Sequence, residues 1–490
     1  MRSLSLVCCL FLLAIAGDGQ TNPVPSVNLP LIPESVAPRS GGFILTVNGT
    51  GFEPGAVVKW NGSTRKTHFE SSSQLKAAIN SHDVSQPGTA RVTVVNPAPG
   101  GGSSNVVDFV IRTALPQVTF RPPSTLRTLE PGSAVAADFN GDGKVDIAIG
   151  NACGGDDTCA GTIDVYLGHG DGTFAPPIRS VAVGAALTDG GGLFVADFNG
   201  DGQPDIAISL HAGDGMDPPF GYVLLGNEDG TFTQGLGSYG GIPQAVGDLN
   251  GDGLPDVITT FLTVDGPPCA ITTAFLGNPD GTYTDSAEFY YMGATGATLG
   301  DFNHDGILDL AMNGASAAAC NHTGTSVALG NGDGTFQTPV QYDPVNYPSH
   351  IQAIDLNGDG NLDLLTDGVC ALFGNGDGTF TQGSCTAEAG SYSMSVADFN
   401  GDGNPDVALF SQKQDGTYDI SLYLGNGDGT FGRPVVYPMP DITSSYEGAA
   451  PGDLNNDGGI DFVLSGNSFK PLRTDSAVFL QVLQSILPER

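Results

Sequence analysis

Short apolar runs separated by polar turns fill most of the chain, in two distinct forms. Between Val27 and Arg112, apolar and polar residues alternate in segments such as Phe43 to Val47, Val57 to Trp60 and Ala90 to Val95, with Gly and Pro between them. Such alternation predicts half-buried β-strands. Beyond Arg112, apolar runs such as Ile147 to Ile149 lack alternation, which indicates strands buried on both faces. The pattern predicts an all-β chain with two kinds of sheet.

A nine-residue pattern, D-x-N-x-D-G-x-x-D, follows a short apolar strand seven times in the second region. The intervals between copies range from 43 to 59 residues, enough for four short strands each and too variable for a helical solenoid. This spacing predicts a seven-bladed β-propeller with one copy in each blade. The copies begin at Asp138, Asp197, Asp248, Asp301, Asp355, Asp398 and Asp453.

A second signature, mostly L-G-N-x-D-G-T-F, follows each of the first six copies and predicts a tight hairpin between the outer two strands. The seventh copy lacks it. The segment Val118 to Pro123 resembles the sequence that follows this hairpin elsewhere, so we expect it to supply the missing outer strand of the last blade and close the ring. The six signatures span Leu167 to Phe174, Leu225 to Phe232, Leu276 to Tyr283, Leu329 to Phe336, Leu372 to Phe380 and Leu424 to Phe431.

The nine-residue pattern carries oxygen ligands at regular spacing. Positions one, three, five and nine have carboxylate or amide side chains, and Gly at position six permits a turn that directs the carbonyl of position seven inward. Turns rich in Asp, Asn and Gly are the alternative, but seven copies gather like charges that require a cation. We expect up to seven Ca²⁺ ions, held by Asp138, Asn140, Asp142, Lys144, Asp146, Asp197, Asn199, Asp201, Gln203, Asp205, Asp248, Asn250, Asp252, Leu254, Asp256, Asp301, Asn303, Asp305, Ile307, Asp309, Asp355, Asn357, Asp359, Asn361, Asp363, Asp398, Asn400, Asp402, Asn404, Asp406, Asp453, Asn455, Asp457, Gly459 and Asp461.

The composition supports this interpretation and excludes some partners. The chain has 53 Asp and Glu against 17 Lys and Arg, and its formal charge of −36 would repel nucleic acids and anionic membranes. Its 72 glycines in 490 residues suit many tight turns.

The first residues predict export. An apolar run from Leu4 to Ala16 after Arg2 ends in a small-x-small cleavage pattern, typical of a signal peptide at 1–16 followed by a linker at 17–26. A transmembrane anchor would need a longer apolar run. We therefore expect a secreted or extracytoplasmic protein without a membrane span. Association with the cell surface is compatible with this expectation.

Six cysteines remain after residue 16, and an even number in an exported chain predicts three disulfides, with fifteen possible connectivities. Local spacing favours Cys153 with Cys159 and Cys370 with Cys385, which leaves Cys269 and Cys320 to pair. The C-x-x-C spacing of a zinc site is absent.

The repeats resemble the FG-GAP/VCBS family, whose propeller repeats occur in bacterial surface proteins and integrin alpha subunits. The resemblance spans Val118 to Arg490. It implies calcium in the loop joining the two innermost strands, with ligands usually bound on the opposite face. The segment 27–112 resembles an IPT/TIG immunoglobulin-like domain, through Gly49 to Phe52, Val58 to Gly62 and Gly88 to Ala90. Together these resemblances imply a seven-bladed β-propeller at 113–490 behind a small immunoglobulin-like β-sandwich. We expect the sandwich to serve as a spacer or adhesive module and Trp60 to lie in its core.

Function is predicted as extracellular binding or adhesion with a carbohydrate or protein ligand. The alternative is a propeller-fold carbohydrate-active enzyme, a lyase or hydrolase, although the chain contains no G-x-S-x-G or H-E-x-x-H motif and no catalytic residue is assigned. Tyrosines ahead of five inner strands are candidates for an arc of ligand-binding rings, because tyrosine combines a large apolar ring with a polar tip; packing between blades is the alternative. They are Tyr239, Tyr290, Tyr291, Tyr347, Tyr392 and Tyr446.

Overall fold

The protein is represented by a computed structural model that describes residues 22–33, 35–115, 118–121, 124–128, 131–151, 162–181, 186–187, 192–211, 219–262, 270–278, 280–289, 294–314, 324–342, 350–386, 393–412, 418–439, 446–466 and 475–479. Every regular element in these ranges is a β-strand. They contain no helix with the length and apolar character needed to cross a membrane. The predicted all-β fold class is confirmed.

The first ten strands form two sheets packed face to face. One sheet has the order β1-β3-β7-β6, and the other has the order β2-β10-β8-β4-β5, with β9 paired to β8. The strands are β1 (Ser26–Ile32), β2 (Ser35–Val36), β3 (Phe43–Thr50), β4 (Val57–Trp60), β5 (Ser63–Thr64), β6 (Lys66–Ser71), β7 (Gln74–Ile79), β8 (Gly88–Asn96), β9 (Gly102–Ser103) and β10 (Val107–Ile111).

The core of this sandwich follows from the alternation in its strands. In β7, Leu75, Ala77 and Ile79 are buried while the residues between them are only partly so. Trp60 is 1% exposed, and its ring centroid lies 5.0 Å from that of Phe109. Trp60 is therefore a core residue, as predicted.

Beyond the sandwich, the described residues form seven sheets, each with four strands in chain order apart from the exceptions noted next. Sheet one is β12 (Pro131–Ala137), β13 (Asp146–Asn151), β14 (Thr162–Tyr166) and β15 (Ile178–Val181); sheet two is β16 (Ala186–Leu187), β17 (Phe194–Ala196), β18 (Asp205–His211), β19 (Phe220–Gly226) and β20 (Phe232–Gly240); sheet three is β21 (Ile242–Gly247), β22 (Asp256–Leu262), β23 (Ala270–Gly277) and β24 (Tyr283–Phe289).

Sheet four is β25 (Ala294–Gly300), β26 (Asp309–Gly314), β27 (Gly324–Ala328) and β28 (Val340–Tyr342); sheet five is β29 (Ile351–Ile354), β30 (Asp363–Thr366), β31 (Cys370–Gly374) and β32 (Phe380–Cys385); sheet six is β33 (Ser393–Ala397), β34 (Asp406–Gln412), β35 (Tyr418–Tyr423) and β36 (Val435–Met439); sheet seven is β37 (Tyr446–Gly452), β38 (Asp461–Gly466) and β39 (Asp475–Phe479), with β11 (Ser124–Arg127) as its fourth strand. In sheet two, β16 and β17 both pair with β18.

Neighbouring sheets share apolar cores, as the unbroken apolar runs predict. All six residues of β13 are buried. Ala148 and Val165 of sheet one pack in one cluster with Ile206 and Tyr222 of sheet two. The innermost strand of sheet one, β12, also contacts β37 of sheet seven. The sheets therefore stack as blades around an axis.

An N-terminal strand completes sheet seven, but it begins later than predicted. The strand β11 pairs antiparallel with β39, so that Ser124 faces Val478. The segment from Val118 to Arg121 instead packs between sheets six and seven, where Phe120 lies 4.9 Å from Phe462 between ring centroids and Tyr437 donates to the carbonyl of Val118 at 2.6 Å. The predicted segment leads into the closing strand rather than forming it.

One predicted disulfide lies in the described residues. Cys370 and Cys385 face each other across β31 and β32 and are bonded, as predicted. Cys153, Cys159, Cys269 and Cys320 lie outside the described residues, as do the predicted signal peptide and the first five residues of the predicted linker.

Candidate metal centre

Each of the seven acidic loops connects two consecutive strands of its sheet: the first and second strands in six sheets, and β17 and β18 in sheet two. We call them acid loops one to seven: Asp138–Asp146, Asp197–Asp205, Asp248–Asp256, Asp301–Asp309, Asp355–Asp363, Asp398–Asp406 and Asp453–Asp461. In each, position nine is the first residue of the strand that follows the loop. Since all seven sheets have the same strand order at this point, the acid loops lie on one face of the stacked sheets.

Backbone N–H groups organise each acid loop around its first aspartate. In loop one, the N–H of Gly143 donates to Oδ2 of Asp138 at 2.7 Å, and the N–H of Asp142 donates to Oδ1 at 3.0 Å. The amide oxygen of Asn140 accepts from the same Asp142 N–H. Gly143 has a φ of 82°, which L side chains rarely adopt. The predicted turn at position six is present.

The ninth aspartate fastens the loop to the neighbouring hairpin. Its side chain is fully buried in all seven loops, in Asp146, Asp205, Asp256, Asp309, Asp363, Asp406 and Asp461. In loop one, Asp146 accepts the N–H of Phe139 at 3.0 Å and that of Gly168 at 2.7 Å. A Cβ at Gly168 would lie 2.1 Å from the carbonyl oxygen of Val145, so only glycine fits there.

This second function of position nine was not predicted from the sequence. The equivalent glycine donates to the ninth aspartate in loops two to six, through Gly226, Gly277, Gly330, Gly374 and Gly425. The available signal was the glycine before asparagine or histidine in all six hairpin signatures, which directly follows leucine in five of them and follows Phe373 in the fifth.

Burial makes the loop carboxylates difficult to ionise without a counter-charge. Burial raises the pKa of Asp205 to about 8; the N–H of Gly226 opposes this shift and the charge of Asp197 adds to it. Burial also raises the pKa of Asp256 and of Asp406 to about 8. At position nine of loops one, four and five, burial raises the pKa of Asp146, Asp309 and Asp363 to about 6.

The donor chemistry fits a hard divalent cation. Each loop offers three carboxylates, the amide oxygen of position three and a main-chain carbonyl at position seven, which are the ligand types that Ca²⁺ prefers. Within the described ranges, no group of three or more His, Cys, Asp or Glu side chains is arranged as a formed metal site. The first aspartate of each loop also accepts N–H groups of its own loop, as Asp138 does from Asp142 and Gly143, and these bonds hold the donor in place.

The sandwich covers the face that carries the acid loops. At position six of six loops, a Cβ on the glycine would lie between 2.6 and 3.4 Å from an atom of the sandwich or of the residues just before it, whereas Gly360 of loop five has no such neighbour within 4 Å. Glycine at this position therefore permits close domain contact as well as the turn. The six glycines are Gly143, Gly202, Gly253, Gly306, Gly403 and Gly458.

A cavity of about 800 Å³ lies between the two domains. Sandwich residues such as Asp108 and Arg112 line one side, and Asp138, Asp197 and Asp453 of the acid loops line the other. The sandwich thus lies directly against the acid-loop face.

Tyr239, the first of the tyrosines predicted to bind a ligand, is buried. Tyr239 is 2% exposed, and its hydroxyl donates to the carbonyl of Ile208 at 2.7 Å. Its ring packs against Phe275 and Tyr283, so it is a core residue of sheets two and three and the ligand-binding assignment is wrong for it. Tyr290, Tyr291, Tyr347 and Tyr392 lie outside the described residues; Tyr446 begins β37, and its side chain is outside them.

On the face opposite the acid loops, the described residues include one histidine that lies near a carboxylate. His350 Nδ1 lies 3.7 Å from Oδ2 of the buried Asp367. This distance exceeds that of a hydrogen bond. It gives no specific support for the enzymatic alternative.

The acid loops and their hairpins match a known family. FG-GAP-like repeats match residues 138–208, 248–312, 316–366 and 398–464, more than half of the chain. The chain belongs to the FG-GAP-like repeat family. The resemblance to FG-GAP/VCBS repeats is thereby confirmed. Residues 31–111 match the IPT/TIG domain, which confirms the resemblance of the N-terminal domain as well.

Other proteins are similar to part of the chain. Human integrin alpha-8 is 28% identical over 211 residues, and mouse integrin alpha-8 is 26% identical over 212 residues. Each match covers 37% of this chain and 19% of the integrin, so the chain spans about a fifth of the length of these relatives. A crystal structure of BBS1N in complex with ARL6DN aligns with a TM-score of 0.45 and 9% identity, over 75% of this chain and 97% of that one.

Proposed function

We propose that this FG-GAP-like chain is an extracellular binding or adhesion protein whose acid loops hold calcium ions. The observation that carries the proposal is the set of seven acid loops, each of which buries a carboxylate at position nine beside further aspartates. Burying like charges together is costly unless a cation compensates them. The similarity to integrin alpha-8 supports a role in binding rather than in catalysis.

Each ion would be held by the same five loop positions. In loop five these are Asp355, Asn357, Asp359, the carbonyl of Asn361 and Asp363. The ion supplies positive charge to a loop that already has its turn, and a ligand that binds only the folded state stabilises that state. Calcium therefore serves as a structural cofactor of the repeats.

The place of action is outside the cytoplasm, and the partner is an extracellular protein or carbohydrate. The apolar start of the sequence, the Cys370–Cys385 disulfide and the integrin similarity support this assignment. The charge of −36 argues against nucleic acid.

Ion counting on a matched pair of variants tests the metal assignment. Asp359 and Asp377 are both exposed aspartates of sheet five, but only Asp359 belongs to the acid loop, while Asp377 bonds to Thr379 in the hairpin. We expect Asp359→Ala to remove one bound Ca²⁺ per chain in equilibrium dialysis and Asp377→Ala to remove none. Equal calcium content in wild type and both variants would refute the assignment.

Binding to immobilised extracellular proteins and to a glycan array, measured in calcium and in EDTA, tests the partner class. Saturable binding to either panel is the expected result. Turnover of a polysaccharide by the purified chain would contradict the proposed role and favour the enzymatic alternative.

A further inference from the structure

Acid loop six is fastened to the sandwich by a buried arginine. Arg112 follows strand β10 and is 7% exposed. Its Nη2 donates to the main-chain carbonyl of Asp398 at 3.1 Å and to that of Phe399 at 2.9 Å. The N–H of Leu115 donates to the carbonyl of Asn400 at 2.6 Å. Three successive carbonyls at the start of the loop thus accept hydrogen bonds from Arg112, at the end of the sandwich, and from Leu115 just after it.

The carboxylate of Asp398 also accepts from the sandwich. Ser35 donates its hydroxyl to Oδ2 of Asp398. The N–H of Gly403 donates to the same oxygen at 2.9 Å, and the N–H groups of Gly401 and Asp402 donate to Oδ1. Asp398 is 3% exposed.

Loop five shows what an acid loop looks like without this contact. Asp355 accepts the N–H of Gly358 at 2.8 Å and that of Gly360 at 3.0 Å, the same internal bonds that loop six makes. Loop six has in addition the N–H bond of Asp402 to Oδ1, the donors from the sandwich and the positive charge of Arg112.

We propose that Arg112 and Ser35 form a latch that holds the sandwich on acid loop six and opposes divalent-ion binding by Asp398. An ion bound through Oδ2 would compete with the Ser35 hydroxyl for the same oxygen. Its charge would also repel the guanidinium, and this repulsion is strong because the site is buried. Asp398, Asp453 and Asp457 provide the negative charge that balances Arg112. The second half of this inference rests on the proposed calcium function.

Small-angle X-ray scattering of the full chain in calcium tests the latch. We expect Arg112→Ala to release the sandwich and increase the maximum particle dimension. The control, Lys66→Ala, removes one positive charge from the exposed strand β6 of the same domain and should leave the dimension unchanged. Ser35→Ala, a smaller change, should give a partial increase. Circular dichroism establishes that each variant is folded, and an Arg112→Ala chain as compact as the wild type would overturn the latch.

Calorimetric calcium titration tests the competition. In Arg112→Ala, we expect the weakest class of sites to bind at least about tenfold more tightly than in Lys66→Ala, because a charge-assisted hydrogen bond network no longer occupies loop six. Identical titrations of the two variants would overturn the competition. If no variant binds calcium, the proposed function fails, and the scattering result still decides whether the latch exists.

Discussion

At the scale of single residues, the ninth aspartate of each acid loop is subject to two opposing effects: hydrogen bonds favour its charged form and burial disfavours it. In loops one to six its two oxygens accept N–H groups from the loop and from the next hairpin, as Asp146 does from Phe139 and Gly168. Its burial at the same time disfavours the charged form. A cation beside it would let the residue keep its bonds and its charge.

Metal-free protein should lose stability as the pH rises. Burial raises the pKa of Asp205, Asp256 and Asp406 from the ordinary value of 3.8 to about 8 in the folded state. Between these values the folded state holds more protons than the unfolded state, so its free energy of unfolding falls with increasing pH.

Urea denaturation in EDTA at a series of pH values measures this effect. The expected result is a decline in the free energy of unfolding from about pH 4 to about pH 8, and a smaller decline in calcium, because the ion replaces protons. A free energy that increases over this window in EDTA would contradict the prediction.

Tyr239 provides a second test at this scale. Tyr239→Phe removes the bond to Ile208 and should cost about 1 kcal/mol of unfolding free energy, and Tyr239→Ala should cost about 3–5 kcal/mol because it also leaves a cavity. The matched control is Leu236→Ala on the same strand, β20, where the side chain is 86% exposed and little change is expected. Equal stability of Tyr239→Ala and Leu236→Ala would show that Tyr239 is not in the core.

At the scale of elements, the closing strand β11 decides whether sheet seven has an open edge. Its residue Leu126 packs against the cluster that contains Ile147, Ile149 and Val463, while Ser124 on the same strand is exposed. An unpaired edge would invite association with other chains.

Charged substitutions on β11 test this pairing. Leu126→Asp places a carboxylate in the apolar cluster and should lower the free energy of unfolding by about 2–4 kcal/mol. Ser124→Asp adds the same charge at the surface and should change it by less than about 0.5 kcal/mol. Chemical denaturation measures both, and equal effects would contradict insertion of β11 into the ring.

Much of the strand and hairpin structure could be predicted from the sequence, because the patterns that specify these elements are local. Alternation predicted the strands of the sandwich, the hairpin signature predicted the outer hairpins, and the local spacing of Cys370 and Cys385 predicted their bond. The closing strand was placed six residues too early, since its apolar neighbours Val118 and Phe120 pack between sheets and only the residues after them pair.

At the scale of the whole molecule, the sandwich sits on the acid-loop face, and local sequence patterns did not indicate this. The contacts of Arg112 and Ser35 with Asp398 join residues 286 and 363 positions apart. Position six of the repeats was interpreted as a turn glycine alone, although in six loops it also permits the sandwich to approach. Tyr239 was misassigned for a related reason, because a tyrosine before an inner strand has the same local sequence whether it faces solvent or a neighbouring sheet.

The measurement that tests the central claim most directly is thermal unfolding of the full chain in excess calcium and in excess EDTA. Each site at a hundredfold excess over its dissociation constant adds about 2.7 kcal/mol, and each 1 kcal/mol shifts the Tm of a domain of roughly this kind by about 2–4 °C. We expect EDTA to lower the Tm by at least about 10 °C and renewed calcium to restore it. A Tm that is the same in calcium and in EDTA would contradict calcium binding by the acid loops.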